Sequence, residues 1–298
     1  EGITVKLRRA NKKDKESLIR LYAEIYGADY PLEIIKEPSV LNKCLTSKHF
    51  FWPVMVHDGI IVGSVIFEWD DRQGLAKVFG AVIRPDWQGH DLMRKAIIAG
   101  LDYLAETGVP IDVIYATTRT VSPAPEKLVR RIGFKTLGIF PNVRKVKDFE
   151  THGLNVYFRK GSLDKRLKNP RLVPEIVDLY QIARDVCELS DEPIVAPIEL
   201  PNPEPRDLVF HLYRKPSVVK KAFNEAFDAG RIKYSFFPFH EPTVLLQSAE
   251  GDSEVFINHN TYDNYGTIVG LRTDRQDTTG FLHQTCEAAA QLGIKYIE

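Results

Sequence analysis

Residues 82–104 read VIRPDWQGHDLMRKAIIAGLDYL, and residues 126–138 read EKLVRRIGFKTLG. The first stretch starts as a strand, stops at Pro85, crosses a polar loop holding Gly89, and enters an amphipathic helix. Leu92, Ala96, Ile97, Leu101 and Leu104 share one face of that helix, and Gly108 marks its stop. A strand that feeds through a short loop into a helix leaves several backbone N–H groups without intrahelical partners. That geometry suits a phosphate or pyrophosphate.

Upstream, strand and helix signals alternate. ITVKLRRA (residues 3–10) has strand period, and Asp14 stands as the N-cap of a helix carrying Leu18, Leu21, Tyr22 and Ile25. Pro38 opens a second helix running to about Ser47. Asp58-Gly59 joins the strands PVMVHDG and IIVGSVIFEW as a hairpin, and LAKVFGAVIR is the strand that ends at Pro85. Downstream, DVIYATT reads as a strand. Ser122-Pro123 opens a short helix through Arg131, Gly133-Phe134 breaks it, and GLNVYFRK closes the unit near Lys160.

Beyond Asp164 the character changes. A helix from Val173 to Leu189 leads into DEPIVAPIELPNPEP, whose five prolines predict an extended connector. A helix over Val218–Ala229 and strands at TVLLQ, EVFINH and TIVGLRT then form a second unit. Its phrases repeat the first in order: LIRLY with IVDLY, PSVLNK with PSVVKK, FFWPVMV with FFPFHEPTVLL, and GAVIRP…TG with GTIVGLRT…LG. The expected boundaries are 1–160 for the first unit, 161–206 for a helix plus connector, and 207–298 for a second unit lacking its last elements.

The chain has 298 residues, 44% of them hydrophobic, with forty Lys+Arg against forty Asp+Glu. A zero formal charge argues against a general nucleic-acid binder, which needs a cation surplus. Three scattered cysteines, Cys44, Cys187 and Cys286, suit a reducing compartment and offer no zinc spacing. The opening EGITVKLRR lacks a following apolar region, and no apolar run reaches the length of a membrane span. The expectation is a soluble cytoplasmic protein without metal, nucleic-acid or membrane partners.

The element order over residues 1–160, the strand–loop–helix at Pro85 and the phrase IGFKTLG together resemble the GNAT superfamily of acyl-CoA-dependent N-acetyltransferases. The resemblance covers the first unit directly and the remainder through the repeat. It implies an α/β (α+β) fold of two tandem units, each a mixed, mostly antiparallel sheet flanked by helices, the second degenerate or incomplete. Tandem arrangements in which one copy has lost its cofactor site occur in the family. The implied cosubstrate is acetyl-CoA, and the implied acceptor is a small-molecule or peptide amine that attacks the thioester directly. By the same resemblance, the backbone of Val82 and Ile83 aligns the pantetheine arm. The amides of Gln88, Gly89, His90, Asp91, Leu92 and Met93 hold the diphosphate.

Departures from the family pattern are specific. The family loop reads Gln/Arg-x-x-Gly-x-Gly/Ala; Gln88 fits it, whereas Asp91 and Met93 replace its glycine and its glycine or alanine. Asp91 is either an N-cap for a helix that no longer holds phosphate, or a carboxylate turned away while Gly89 admits the ligand. The second copy, RTDRQDTTGF, also lacks the glycines and adds Asp274 and Asp277. The family's usual base position on the strand before the loop is Lys77 or Phe79 here, and its usual acid position is Val129.

Glu68 and Tyr115 are the substitutes for base and acid, each set against a plainer role, an edge charge and a core tyrosine. His57, His152, Asp70 and Asp71 are weaker options beside turns and loops. The aromatic run YSFFPFH from Tyr234 reads as a buried strand. No Gly-x-Ser-x-Gly, phosphate-binding P-loop or His-Glu-x-x-His pattern is present. Two readings remain: an N-acyltransferase, and a non-catalytic binding or scaffold protein of the same fold with a degenerate coenzyme A site. A tandem pair can mimic a dimer, so a monomer is favoured over a dimer.

Overall fold

The computed structural model describes residues 4–27, 33–145, 148–197, 208–232, 235, 239–261 and 264–298. It divides into two units, Glu1–Ala196 and Pro197–Glu298.

In the first unit, β1 (Lys6–Arg9) is followed by α1 (Lys15–Tyr26), α2 (Glu33–Lys36) and α3 (Pro38–Thr46). Then come β2 (Phe50–Phe51), β3 (Pro53–His57), β4 (Ile60–Asp70), β5 (Leu75–Ile83), α4 (Leu92–Glu106), β6 (Val113–Arg119) and α5 (Ala124–Ile132). The unit ends with β7 (Lys135–Lys145), β8 (Phe149–Phe158), β9 (Arg171–Leu172), α6 (Val177–Cys187) and β10 (Ile194–Val195). The sheet order is β1-β3-β4-β5-β6-β8-β7, with β2 also on β4. Every pairing in it is antiparallel except β5 with β6. Asp58 and Gly59 both have positive φ, as a two-residue hairpin requires.

Side chains alternate along β4 and divide the core by face. Val65, Phe67 and Trp69 pack with Ala96, Ile97 and Leu104 of α4 and Val129 of α5. Ile61 and Ile66 pack on the other face with Leu18, Leu21 and Tyr22 of α1 and Leu41 of α3. Asp14 does not cap α1. Its carboxylate accepts from both arms of Arg8 at 2.7 Å and from the Asn11 backbone at 2.8 Å, closing a capping box on a 3-10 turn.

Three elements differ from expectation. β7 was hidden because Gly138 and Pro141 break its pattern; it is an edge strand, where a missing N–H is tolerated, and its register slips between Phe140 and Arg144. The predicted 173–189 helix is a 3-10 turn followed by α6, which packs on β7. Part of the proline-rich stretch is not a plain connector, since Ile194 and Val195 pair in parallel with Arg171 and Leu172.

The second unit contains β11 (Phe210–Tyr213), α7 (Pro216–Asp228), β12 (Val244–Ser248), β13 (Ser253–Asn260), β14 (Tyr265–Thr273), α8 (Thr278–Gln291) and β15 (Tyr296–Ile297). Its order is β11-β12-β13-β14-β15, and only the last pairing is parallel. Pro38 and Pro216 both open helices lying between the first strand and the central hairpin. The IVDLY phrase breaks the parallel: its helix, α6, comes before β11, whereas LIRLY lies in α1, after β1. Tyr234 and residues 236–238 of the aromatic run lie outside the described residues.

Candidate functional site

The parallel pairing of β5 with β6 covers only Leu75–Val78 against Val113–Ala116. Beyond it, Phe79–Ile83 stays on β4 while Thr117–Arg119 stays on β8, so the two strands part. The parting begins at a β-bulge, where Gly80 and Ala81 together oppose Val65. Gly80 takes φ +60, and its carbonyl accepts the Tyr22 hydroxyl; a Cβ there would lie 3.0 Å from that hydroxyl. Val82 is buried and pairs with Ser64, and Ile83 pairs with Gly63. Their other strand edge faces the gap.

β5 leads through a 3-10 turn at Pro85–Trp87 into Gln88, Gly89, His90 and Asp91. Gly89 has φ +82 and open space around its Cα. Asp91 occupies the N-cap position in the left-handed region, φ 58 and ψ 16, but caps nothing. Its carboxylate instead takes two bonds from Arg94 Nε, at 2.9 and 2.8 Å, and one from Nη2 at 2.5 Å. The hydrogen bond from Arg94, with the nearby charges of Arg94, Lys95 and Arg131, holds the Asp91 carboxyl below the usual carboxylate range. The N-cap expectation is therefore corrected: the carboxylate is neutralised on the helix surface, and no side chain caps the start of α4. The first intrahelical bond is Lys95 N–H to the Asp91 carbonyl, at 3.2 Å, so the amides of Leu92, Met93 and Arg94 precede the ladder. Met93 and Leu92 pack against the α4-side core, which occupies the Met93 side chain away from the loop.

The corresponding point of the second unit differs. Asp277 caps α8 by accepting from the Gly280 amide at 2.8 Å, so that helix start is already occupied by a carboxylate.

On the face opposite α4 and α5, register aligns Glu68, Lys77 and Tyr115 in one row across β4, β5 and β6. Glu68 is not an edge charge. It is half-buried between Phe50 and Lys77, and its field joins burial in pushing the Cys44 thiol up to about 12. Tyr115 is half-buried and points away from the α4-side core, so the core-tyrosine reading fails too. Lys77 Nζ lies 5.2 Å from the Phe79 ring centre. Val129 is core.

His57 Nδ1 lies 2.9 Å from the Thr4 carbonyl, and its ring is 4.6 Å from that of Trp87. Asp70 accepts two turn amides, and Asp71 lies 3.7 Å from His49. His152 is not in a loop: it is buried on β8, opposite Arg119 of β6. Arg119 and Glu150 were missed in the sequence, although Glu150 and His152 stand two apart and so share a strand face.

Beneath the gap, on the α5 side, Asn155 is fully buried and joins Thr118 and Thr136, each at 2.9 Å, while Glu126 accepts from both threonines. Asn155→Ala should cost about 2–3 kcal/mol by leaving the buried Thr118 hydroxyl and the half-buried Thr136 hydroxyl each short of a partner. Denaturant unfolding measures this, and an unchanged midpoint would refute the network's role. Among the described residues, no group of three His, Cys, Asp or Glu is arranged to hold a metal, and no helix is long and apolar enough to cross a membrane.

Residues 15–134 match the sequence profile of the Acetyltransferase (GNAT) family. Among solved structures, a probable acetyltransferase from Staphylococcus epidermidis ATCC 12228 aligns with TM-score 0.46 and 14% identity, over 53% of this chain and 100% of its own. The ribosomal-protein-S5-alanine acetyltransferase from Vibrio fischeri aligns with TM-score 0.46 and 16% identity, over 54% and 96%. Arabidopsis thaliana NAA60 in complex with acetyl-CoA aligns with TM-score 0.46 and 15% identity, over 53% and 100%. No curated protein matches the sequence.

Proposed function

We propose that the first unit, whose residues 15–134 match the Acetyltransferase (GNAT) family profile, is an N-acyltransferase using acetyl-CoA and a primary amine. One observation carries the reading: the β5–β6 gap leads to an uncapped helix start with Arg94, Lys95 and Arg131 around it. Those groups fit an anionic diphosphate and an extended arm. Val82 and Ile83 would offer backbone to the pantetheine, and the amides from Gln88 to Met93 would take the diphosphate. Acetyl-CoA supplies the activated thioester, and the amine attacks it with no covalent enzyme intermediate. Glu68 and Tyr115, in one row with Lys77, line the face from which the acceptor approaches.

The second unit reads as a degenerate copy. Its strand–helix–strand–strand–strand–helix–strand order and its bulge at Val269 support this, and the Asp277 cap supports a lost cofactor site. On this reading the functional boundaries are proposed at 1–160, 161–206 and 207–298, while the fold itself divides after Ala196. Free Cys44, Cys187 and Cys286 fit a reducing cytoplasm. Lys77 and Val129, at the family's usual base and acid positions, favour the second reading, a non-catalytic binding protein.

Calorimetric titration of the full chain with acetyl-CoA and with free coenzyme A separates the two. Micromolar binding at one site per chain is the expected result. No heat at millimolar ligand would sink the acetyl-CoA reading.

A further inference from the structure

The loop from Gln88 to Asp91 is held at both ends by side chains of one core. Leu92 and Met93 pack there at its exit, and Trp87, the residue before Gln88, packs there at its entrance. The Trp87 amide closes the 3-10 turn on the Arg84 carbonyl at 2.9 Å, so the indole and the start of the loop move together.

Two histidines flank that indole. His57, the last residue of β3, has its ring centre 4.6 Å from that of Trp87, with the planes 51° apart; the His90 ring lies farther off, at 6.4 Å. His57 Nδ1 lies 2.9 Å from the Thr4 carbonyl. A carbonyl oxygen only accepts, so Nδ1 carries a hydrogen. On the other side of the ring, Nε2 lies 3.3 Å from a carboxylate oxygen of Asp58. In the neutral ring that nitrogen presents a lone pair to an anion; in the imidazolium it presents an N–H. Both ring nitrogens therefore face acceptors, and only the protonated ring serves both. The cationic ring is also the form that an indole attracts. The other charged or titratable groups on the elements around it are Lys6, Asp86 and His90. Lys6 pairs with Val56 and so lies on the opposite sheet face; Asp86 and His90 flank Trp87 along the chain.

We propose that His57 is a positioning residue for the cosubstrate loop: as an imidazolium it clasps Trp87 and fixes the entrance to Gln88–Asp91, so that acetyl-CoA binds more tightly as pH falls below neutral. This rests on the acetyltransferase reading. The sign follows from the proton. The clasp is complete when the ring is protonated and is lost as pH rises and the ring becomes neutral. Linkage makes the effect reciprocal, so bound acetyl-CoA favours the protonated ring.

The test uses the full chain, with H57Q, H90Q and W87F as variants and thermal melts to verify folding. The part of the indole emission that W87F removes should change with pH in the parent and stay flat in H57Q. Calorimetric titration with acetyl-CoA at about pH 6 and about pH 8 gives a ratio of Kd values for each protein. The parent's ratio should exceed that of H57Q about threefold in favour of the lower pH. Comparing ratios cancels the titration of the ligand's own phosphate. H90Q should keep the parent's ratio. Histidine-ring NMR of the parent, with the His57 signal identified by its loss in H57Q, gives a second reading: saturation with acetyl-CoA should raise its titration midpoint. Binding with the same ratio in H57Q as in the parent, a ratio abolished by H90Q alone, or an unmoved His57 midpoint overturns this assignment and leaves the acetyltransferase reading standing. Failure of acetyl-CoA to bind overturns both.

Discussion

Replacing Asp91 with glycine should raise the affinity for coenzyme A roughly tenfold or more. The argument starts from the backbone. Asp91 sits at φ 58, a left-handed conformation that glycine adopts without penalty and that aspartate tolerates better than most residues. The family glycine at this point therefore has a conformational reason, and the substitution keeps the loop's path. What changes is charge. Asp91 engages the Arg94 guanidinium through both carboxylate oxygens, so a diphosphate at the α4 amides meets a nearby carboxylate and an arginine already committed. Glycine removes the first and releases the second.

The ion pair is on the surface, so its loss should leave the thermal midpoint almost unmoved. Titrations at low and high salt make the test sharper, because an electrostatic gain shrinks as salt screens it. If D91G binds no better than the parent chain, the carboxylate has no influence on the site and the electrostatic argument falls. R94Q should weaken binding in the D91G background more than in the parent, where Arg94 is already occupied.

The second large effect is on stability. Gly100→Ala should destabilise the first unit by about 2 kcal/mol. Alanine in a helix interior gains about 1 kcal/mol over glycine by propensity. Packing opposes it. Gly100 is on the buried face of α4, and a Cβ there falls within 2.9 Å of three ring atoms of Phe67, itself fully buried. Overpacking of a closed core costs about 1–3 kcal/mol and occasionally more; here the ring has nowhere to retreat, so the clash outweighs the propensity gain. Thermal and urea unfolding measure the loss. Pairing G100A with F67L should recover much of it, since the two side chains share one space. An unchanged midpoint in G100A would mean that α4 slides off β4 at little cost.

The elements most legible in the sequence are those with a local cause. The apolar strands β4 and β5, the Asp58-Gly59 turn and the amphipathic α4 were all readable, because apolar runs, turn chemistry and helical period depend on near neighbours. β7 was not, since Gly138 and Pro141 interrupt its pattern and only its place at the sheet edge makes them acceptable. Glu68 and Tyr115 were named separately, one from a strand before the gap and one after it. Register brings them into a row with Lys77, and no spacing along the chain could reveal that. His152 looked like a loop histidine for the same reason: its partner Glu150 is near in sequence, but Arg119 is on another strand.

The sequence alone determined where the loop lies, that a helix follows it directly, and that Asp91 and Met93 stand where the family pattern has small residues. These are consequences of residue identity and short-range order. Tertiary structure decided which way Asp91 points, that Met93 turns into the core, that β5 and β6 part at the Gly80 bulge, and that Arg119, Glu150 and His152 meet. Each of these depends on register and packing between segments far apart in the chain, and such distances are closed only by the fold.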